Sequence, residues 1–160
     1  TPSPPIYSKT HIYTREDIMA DGKKVTCLDC GQINRVPGDK LASAKCGTCG
    51  TKLSSGKAVE VDLATLQKAA RNDDVPLVVD FWAPWCGPCR MMAPEFSKAA
   101  ATMNGEARLV KLNTEDYPAA GQKYGIRGIP TMIGFKGGRE VKRQAGAMPG
   151  AQIVSWAKGV

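Results

Sequence analysis

Three Cys-x-x-Cys pairs constrain this chain more than anything else in it: Cys27 and Cys30, Cys46 and Cys49, Cys86 and Cys89, with no other cysteine among 160 residues. Two thiols on a tight turn can grip a metal ion, whereas two thiols at the start of a helix can exchange electrons, so the flanking residues decide the chemistry. Fifteen residues separate Cys30 from Cys46, a spacing found in four-cysteine zinc sites. Gly31 and Gly50 each follow the second cysteine of a pair and let the backbone fold back so that its N–H groups approach the sulfurs. Cys27, Cys30, Cys46 and Cys49 are thus the expected ligands of one structural zinc ion, in a closed tetrahedron of the ribbon or knuckle kind. Two disulfides or four free thiols are the alternative.

The segment around these four cysteines supports a metal-stapled module. Between Met19 and Ser55 the apolar residues are sparse and no helical period is present, and a unit of about 40 residues normally needs a metal, disulfides or a partner to fold. Residues 19–55 are therefore read as a zinc-binding module. Residues 1–18, "TPSPPIYSKTHIYTREDI", hold three prolines and the only histidine. They are read as a flexible tail of the kind added for expression, with His11 neither ligand nor catalyst.

After Gly56 strand and helix signals alternate: "AVEV", a helix over "DLATLQKAARND" capped by Asp62, the buried strand "PLVVDFWA", a helix from Cys86 to about Met103, and "ARLVKLN". A short helix around "DYPAAGQKYG", the hairpin "TMIGFK" to "REVKRQAG" and a last helix "GAQIVSWAKG" complete the pattern. This is an α/β domain over residues 56–160, a mixed sheet flanked by helices with an antiparallel edge. The third cysteine pair stands where its buried strand passes into a helix. A thiol there meets unpaired N–H groups and the helix dipole, which lower the pKa of Cys86 and make it the nucleophile. Cys89, three residues on along one face, can resolve a mixed disulfide. Pro88 fits the first turn, where its missing N–H costs nothing, and Gly87 lets a substrate chain come close.

With "DFWAPWCGPC", "APEF", "VKLNTED" and "YGIRGIPTMIGFKGG" in order, residues 57–160 resemble the thioredoxin family. Together with the four-cysteine module the chain resembles the bacterial thioredoxin 2 subgroup. The resemblance implies a thioredoxin fold preceded by a zinc-ribbon-like module, and a protein-disulfide reductase; the Gly-Pro dipeptide is the reductant's version, where related oxidases and isomerases usually carry a histidine. It implies that Asp80 is the buried aspartate below the active site, serving as proton acceptor for Cys89, and that Lys111 faces it. Trp82 would support packing and Trp85 would flank the pair and contact substrate. Pro130 would be a cis-proline, bordering with Ile129 and Gly146 a shallow apolar groove where the substrate backbone docks as an added strand. Ala145 stands where many relatives have valine. Reducing equivalents would come from NADPH through a thioredoxin reductase, and the protein would act as a bacterial cytoplasmic monomer on disulfide-containing proteins.

The net charge of +7 raises the question of nucleic acid. Residues 1–61 hold nine Lys and Arg against six Asp and Glu, and residues 62–160 thirteen against nine, with no basic block in either. Residues 19–61 contain no Phe, Trp or Tyr on which bases could stack. Nucleic-acid binding is not expected, nor is a membrane span, for want of roughly 18 consecutive apolar residues. A ribbon that recognises protein, with the second domain as accessory, stays open as a second class of function.

Overall fold

The first sheet is a two-stranded hairpin with one inward valine on each strand. The computed structural model describes residues 22–37 and 39–160, so the expected tail and His11 lie outside the described residues. Strand β1 (Gly22–Thr26) pairs antiparallel with β2 (Ile33–Pro37), Val25 opposite Asn34 and Lys23 opposite Val36. Val25 and Val36 turn inward onto Leu41, Ala44 and Leu53, and Val75 from the following domain closes this small core. The hairpin was not expected from sequence, because its five-residue strands are rich in polar and charged residues and too short to show an apolar period.

The second sheet has five strands: β3 (Val59–Glu60), β4 (Leu77–Trp82), β5 (Arg108–Asn113), β6 (Thr131–Lys136) and β7 (Arg139–Ala145), in the order β3-β5-β4-β6-β7. β3 and β4 run parallel to β5, β6 runs antiparallel to β4, and β7 runs antiparallel to β6. β4 is LVVDFW, buried along nearly its whole length, and both of its faces are covered. One face, carrying Leu77, Val79 and Phe81, packs on helix α1 (Leu63–Asn72) and the short helix α3 (Pro118–Lys123). The other, carrying Val78, Leu109 and Met132, packs on α2 (Gly87–Thr102) and α4 (Gly150–Lys158). Asp62 caps α1, its carboxylate accepting the Thr65 N–H at 2.7 Å. The elements expected after Gly56 are present in the expected order, with β3 reduced to two residues.

A buried ion pair joins the two sheets. Asp73, just after α1, accepts the Thr26 N–H at 2.8 Å and is bonded to Arg108 at the head of β5. The same guanidinium donates to the Thr26 and Leu53 carbonyls at 2.8 and 3.1 Å. Beside it Asp74 accepts the Lys24 N–H, and its own N–H donates to the Lys24 carbonyl. The Asp73 and Arg108 side chains are only 2–3% exposed. Thr26 Oγ1 and Arg108 Nε stay without a partner at the seam, and breaking one half of the ion pair would leave a buried charge alone.

Candidate active site and metal centre

The four N-terminal sulfurs meet at one point. Cys27 and Cys30 lie in the turn between β1 and β2, Cys46 and Cys49 in a second turn closed by a bridge between Lys45 and Lys52. All four sulfurs lie within 4.8 Å of one another, with Cys27 to Cys49 and Cys30 to Cys46 both 3.6 Å apart. Zinc bonded to sulfur at about 2.3 Å would set tetrahedral sulfurs about 3.8 Å apart, so the residues fit that ion. Gly31 and Gly50 have φ of +82° and +78°, the left-handed conformation that ends each turn. Their N–H groups bond the Cys27 and Cys46 carbonyls, whereas the sulfurs of those residues accept from Cys30 and Thr48 at 3.5 and 3.4 Å. The glycines thus shape the turns, and other residues' N–H groups meet the sulfurs. Burial pushes the Cys27 thiol up to about 12. Burial also acts on Cys46, but the N–H groups of Cys49 and Thr48 outweigh it and hold that thiol down at about 6.

The third pair has a different setting. Cys86 is the N-cap of α2, and its sulfur accepts the Cys89 N–H at 3.2 Å. Gly87 and Pro88 occupy the first turn of α2, and Cys86 and Cys89 are joined by a disulfide with Cα atoms 5.2 Å apart. The Ile129–Pro130 bond is cis, and the Ile129 carbonyl oxygen lies 3.7 Å from the Cys86 sulfur. Gly146, at the end of β7, donates its N–H to the Pro130 carbonyl at 2.9 Å, which brings Ile129, Pro130 and Gly146 together beside the pair. Trp85 is 67% exposed at the rim and Trp82 is half-buried beneath. Pro94 falls inside α2, which continues to Thr102.

Asp80 is fully buried on the α2 face of β4, opposite Lys111 of β5 and Met132 of β6, and neither of its carboxylate oxygens has a hydrogen-bond partner. Burial is the main cause that raises its pKa to about 7; the Lys111 charge opposes the rise and Glu60 adds to it. Lys111 is largely buried, with its ammonium 4.3 Å above the Trp82 ring and 4.0 Å from Glu60.

Comparison with known proteins agrees with this arrangement. Residues 57–159 match the thioredoxin family, and residues 26–51 match the family described as thioredoxin 2, N-terminal. The chain belongs to the thioredoxin family. It is of the thioredoxin 2 type, with a zinc-ribbon module ahead of the thioredoxin domain. Thioredoxin 1 of a Nostoc species is 47% identical over 58% of this chain and 86% of its own length. Thioredoxin C-3 of Corynebacterium nephridii is 35% identical over 82% of this chain and 91% of its own. Among solved structures, chloroplastic thioredoxin z is 31% identical over 64% of this chain and 92% of its own, with a TM-score of 0.59. The chain is accordingly a protein-disulfide oxidoreductase, and Cys86 and Cys89 are its Cys-x-x-Cys pair. No helix among the described residues is long and apolar enough to cross a membrane.

Two groups of residues were missed from sequence. Asp73 and Arg108 were not singled out, and nothing local to either residue marks it as buried. Glu60 sits on a strand too short to show which face it uses.

Proposed function

We propose that this thioredoxin reduces protein disulfides with Cys86 as nucleophile and Cys89 as resolving thiol. The observation that carries the assignment is the Cys86 sulfur at the N-cap of α2, accepting a helix N–H; that position favours a thiolate. The Cys86 thiolate attacks one sulfur of the substrate disulfide, forming a mixed disulfide and releasing the first substrate thiolate, which takes up a proton. Asp80 then accepts the proton of Cys89. The Cys89 thiolate attacks the Cys86 sulfur, the Cys86–Cys89 bond forms as the mixed disulfide breaks, and the second substrate sulfur leaves as a thiolate that takes up a proton. Two electrons have passed from the dithiol to the substrate.

Asp80 suits this step because burial keeps its proton affinity near neutral pH. Lys111 serves as its charged neighbour. Trp85, Gly87, Pro88, Ile129, Pro130 and Gly146 border the substrate groove, where an extended chain lies against the Ile129 backbone. Cys27, Cys30, Cys46 and Cys49 hold one structural zinc, which supplies a closed fold and no chemistry to the redox step. Residues 56–160 would form the catalytic domain and residues 19–55 the zinc module. NADPH acting through a thioredoxin reductase would return the disulfide to the dithiol, in a bacterial cytoplasm and with the protein monomeric.

Trapping tests the division of roles. Cys86→Ser should abolish disulfide reduction and form no mixed disulfide at the catalytic pair, whereas Cys89→Ser should accumulate one with substrate on non-reducing gels. Equal trapping by both variants would reject it.

A further inference from the structure

Three ionisable side chains stand in one row across the sheet. Glu60 of β3 is the register partner of Lys111 of β5, which is the partner of Asp80 of β4. Partners on adjacent strands share a face and stand about 5 Å apart, and this is the face on which Val78, Leu109 and Met132 meet α2 and α4. The two carboxylates thus compete for one ammonium. Lys111 makes its ion pair with Glu60, at 4.0 Å, while lying over Trp82, and both Asp80 oxygens are left without a partner. Glu60 can hold the lysine because its own side chain is 48% exposed and stays hydrated, whereas Asp80 is sealed. Glu60 lines a cleft of about 330 Å³ beside Leu28 and Asp29 of the ribbon.

We propose that Glu60 is a positioning residue for the resolving step: by holding the Lys111 ammonium, it keeps that ammonium from pairing with Asp80 and so preserves Asp80 as a proton acceptor. The inference rests on the role assigned to Asp80 above. An aspartate in contact with a lysine would remain ionised to low pH and bind the Cys89 proton weakly. Removing the Glu60 charge acts in one direction twice, since it takes a negative charge from the neighbourhood of Asp80 and frees Lys111 to approach it.

The charged and titratable groups around Asp80 are few. Lys111 comes from β5 and Glu60 from β3; Cys89 is the one buried titratable side chain of α2, with Cys86 at its cap. β6 presents Met132, and α4 carries no carboxylate. Asp116, beyond β5, acts on Glu60.

The test is the pH dependence of the resolving step, measured in single turnover on the full chain from mixed-disulfide decay, for wild type, Glu60→Gln, Lys111→Met, their double variant and Asp80→Asn. The acidic limb should be lost in Asp80→Asn. Glu60→Gln should move it to lower pH by about half a unit or more, and the move should shrink by at least half in the Lys111→Met background. Thermal unfolding shows that each variant is folded. An unmoved limb in Glu60→Gln, or an equal move without Lys111, overturns the role of Glu60 and leaves that of Asp80 standing. A limb that survives Asp80→Asn overturns both.

Discussion

The same four-residue spacing serves two chemistries in this chain, and the backbone after the second cysteine separates them. In the ribbon, Cys30 and Cys49 are followed by glycines at positive φ that turn the chain back on itself, so four sulfurs converge within 4.8 Å. At the catalytic pair no left-handed residue follows: Gly87 opens α2, and Cys86 is left at the cap with a helix N–H on its sulfur. A turn that folds back gathers thiols around an ion, whereas a turn that runs on into a helix leaves one thiol at the positive end of a dipole. The cysteines are alike, and the next four or five dihedrals choose between holding a metal and moving electrons.

The strongest break of this comparison is to remove one ligand from the ribbon. Cys46→Ser should lower bound zinc from about one ion per chain to none, because a three-sulfur site loses its closed tetrahedron. Disulfide reduction at 25 °C should stay within about threefold of wild type, since the redox step uses none of the four ribbon thiols. Elemental analysis and a turbidity assay for insulin reduction check the two halves. Loss of reduction in a variant that remains folded would mean that the ribbon thiols take part in electron transfer.

Next in size is the seam between the regions. Arg108→Met should cost about 3–5 kcal/mol, the range for stranding one member of a buried ion pair, because Asp73 would stay buried without its guanidinium. The Thr26 and Leu53 carbonyls would lose their donor as well. Thr26 precedes the ligand Cys27, so this strain falls directly on the zinc turn. Adding Asp73→Asn should recover at least half of the loss. Urea unfolding of the zinc-loaded protein measures both, and full additivity of the two losses would show that Asp73 and Arg108 do not act as a pair.

Asp80→Asn should act on stability in the opposite sense to its effect on activity. A carboxyl whose folded pKa lies near 7, against about 4 when unfolded, binds its proton more tightly in the native state. It therefore costs nothing below about pH 4, costs progressively more as pH rises towards 7, and reaches a plateau above that. The variant should be more stable than wild type at pH 8 by roughly 2–4 kcal/mol, with the gain vanishing near pH 4. Thermal unfolding across that range gives the answer, and a gain independent of pH would assign the effect to packing instead.

Much of this was legible in the residues. The spacing between the first two pairs pointed to the four metal ligands, the strand and helix flanking the third pointed to the redox pair, and the signals after Gly56 gave the order of strands and helices along the chain though not their order in the sheet, because long periodic elements announce themselves. Asp80 and the cis bond at Pro130 were reached only through family resemblance: nothing local distinguishes a buried aspartate from a hydrated one, and an X-Pro bond is cis in only about 5–6% of cases. The Asp73–Arg108 seam was hidden for a different reason. Its two halves lie 35 residues apart, and a charged residue looks solvated until tertiary contacts bury it. Glu60 was equally silent, since two residues of strand carry no alternation to show which face is inward.

The smallest effect compares glycine with glycine. Gly50 sits at φ +78° with nothing within 4 Å of where a Cβ would stand, so Gly50→Ala meets no clash and pays only for a left-handed backbone, about 1–2 kcal/mol. Gly87 is equally open but helical, so Gly87→Ala should gain about 0.5–1 kcal/mol by restricting the unfolded chain. The ribbon variant should therefore bind zinc more weakly, by roughly tenfold if the cost falls wholly on the folded turn, while its kcat/KM for disulfide stays unchanged. The helix variant should reverse this pattern, holding zinc as wild type does and raising KM for a protein substrate, because the added methyl stands where the substrate chain passes in the proposed groove. Competition with a zinc chelator and steady-state kinetics read both variants. If Gly50→Ala proved neutral for zinc, the positive φ would not be what makes that turn a ligand turn, and the distinction drawn between the two kinds of cysteine pair would have to rest on the helix alone.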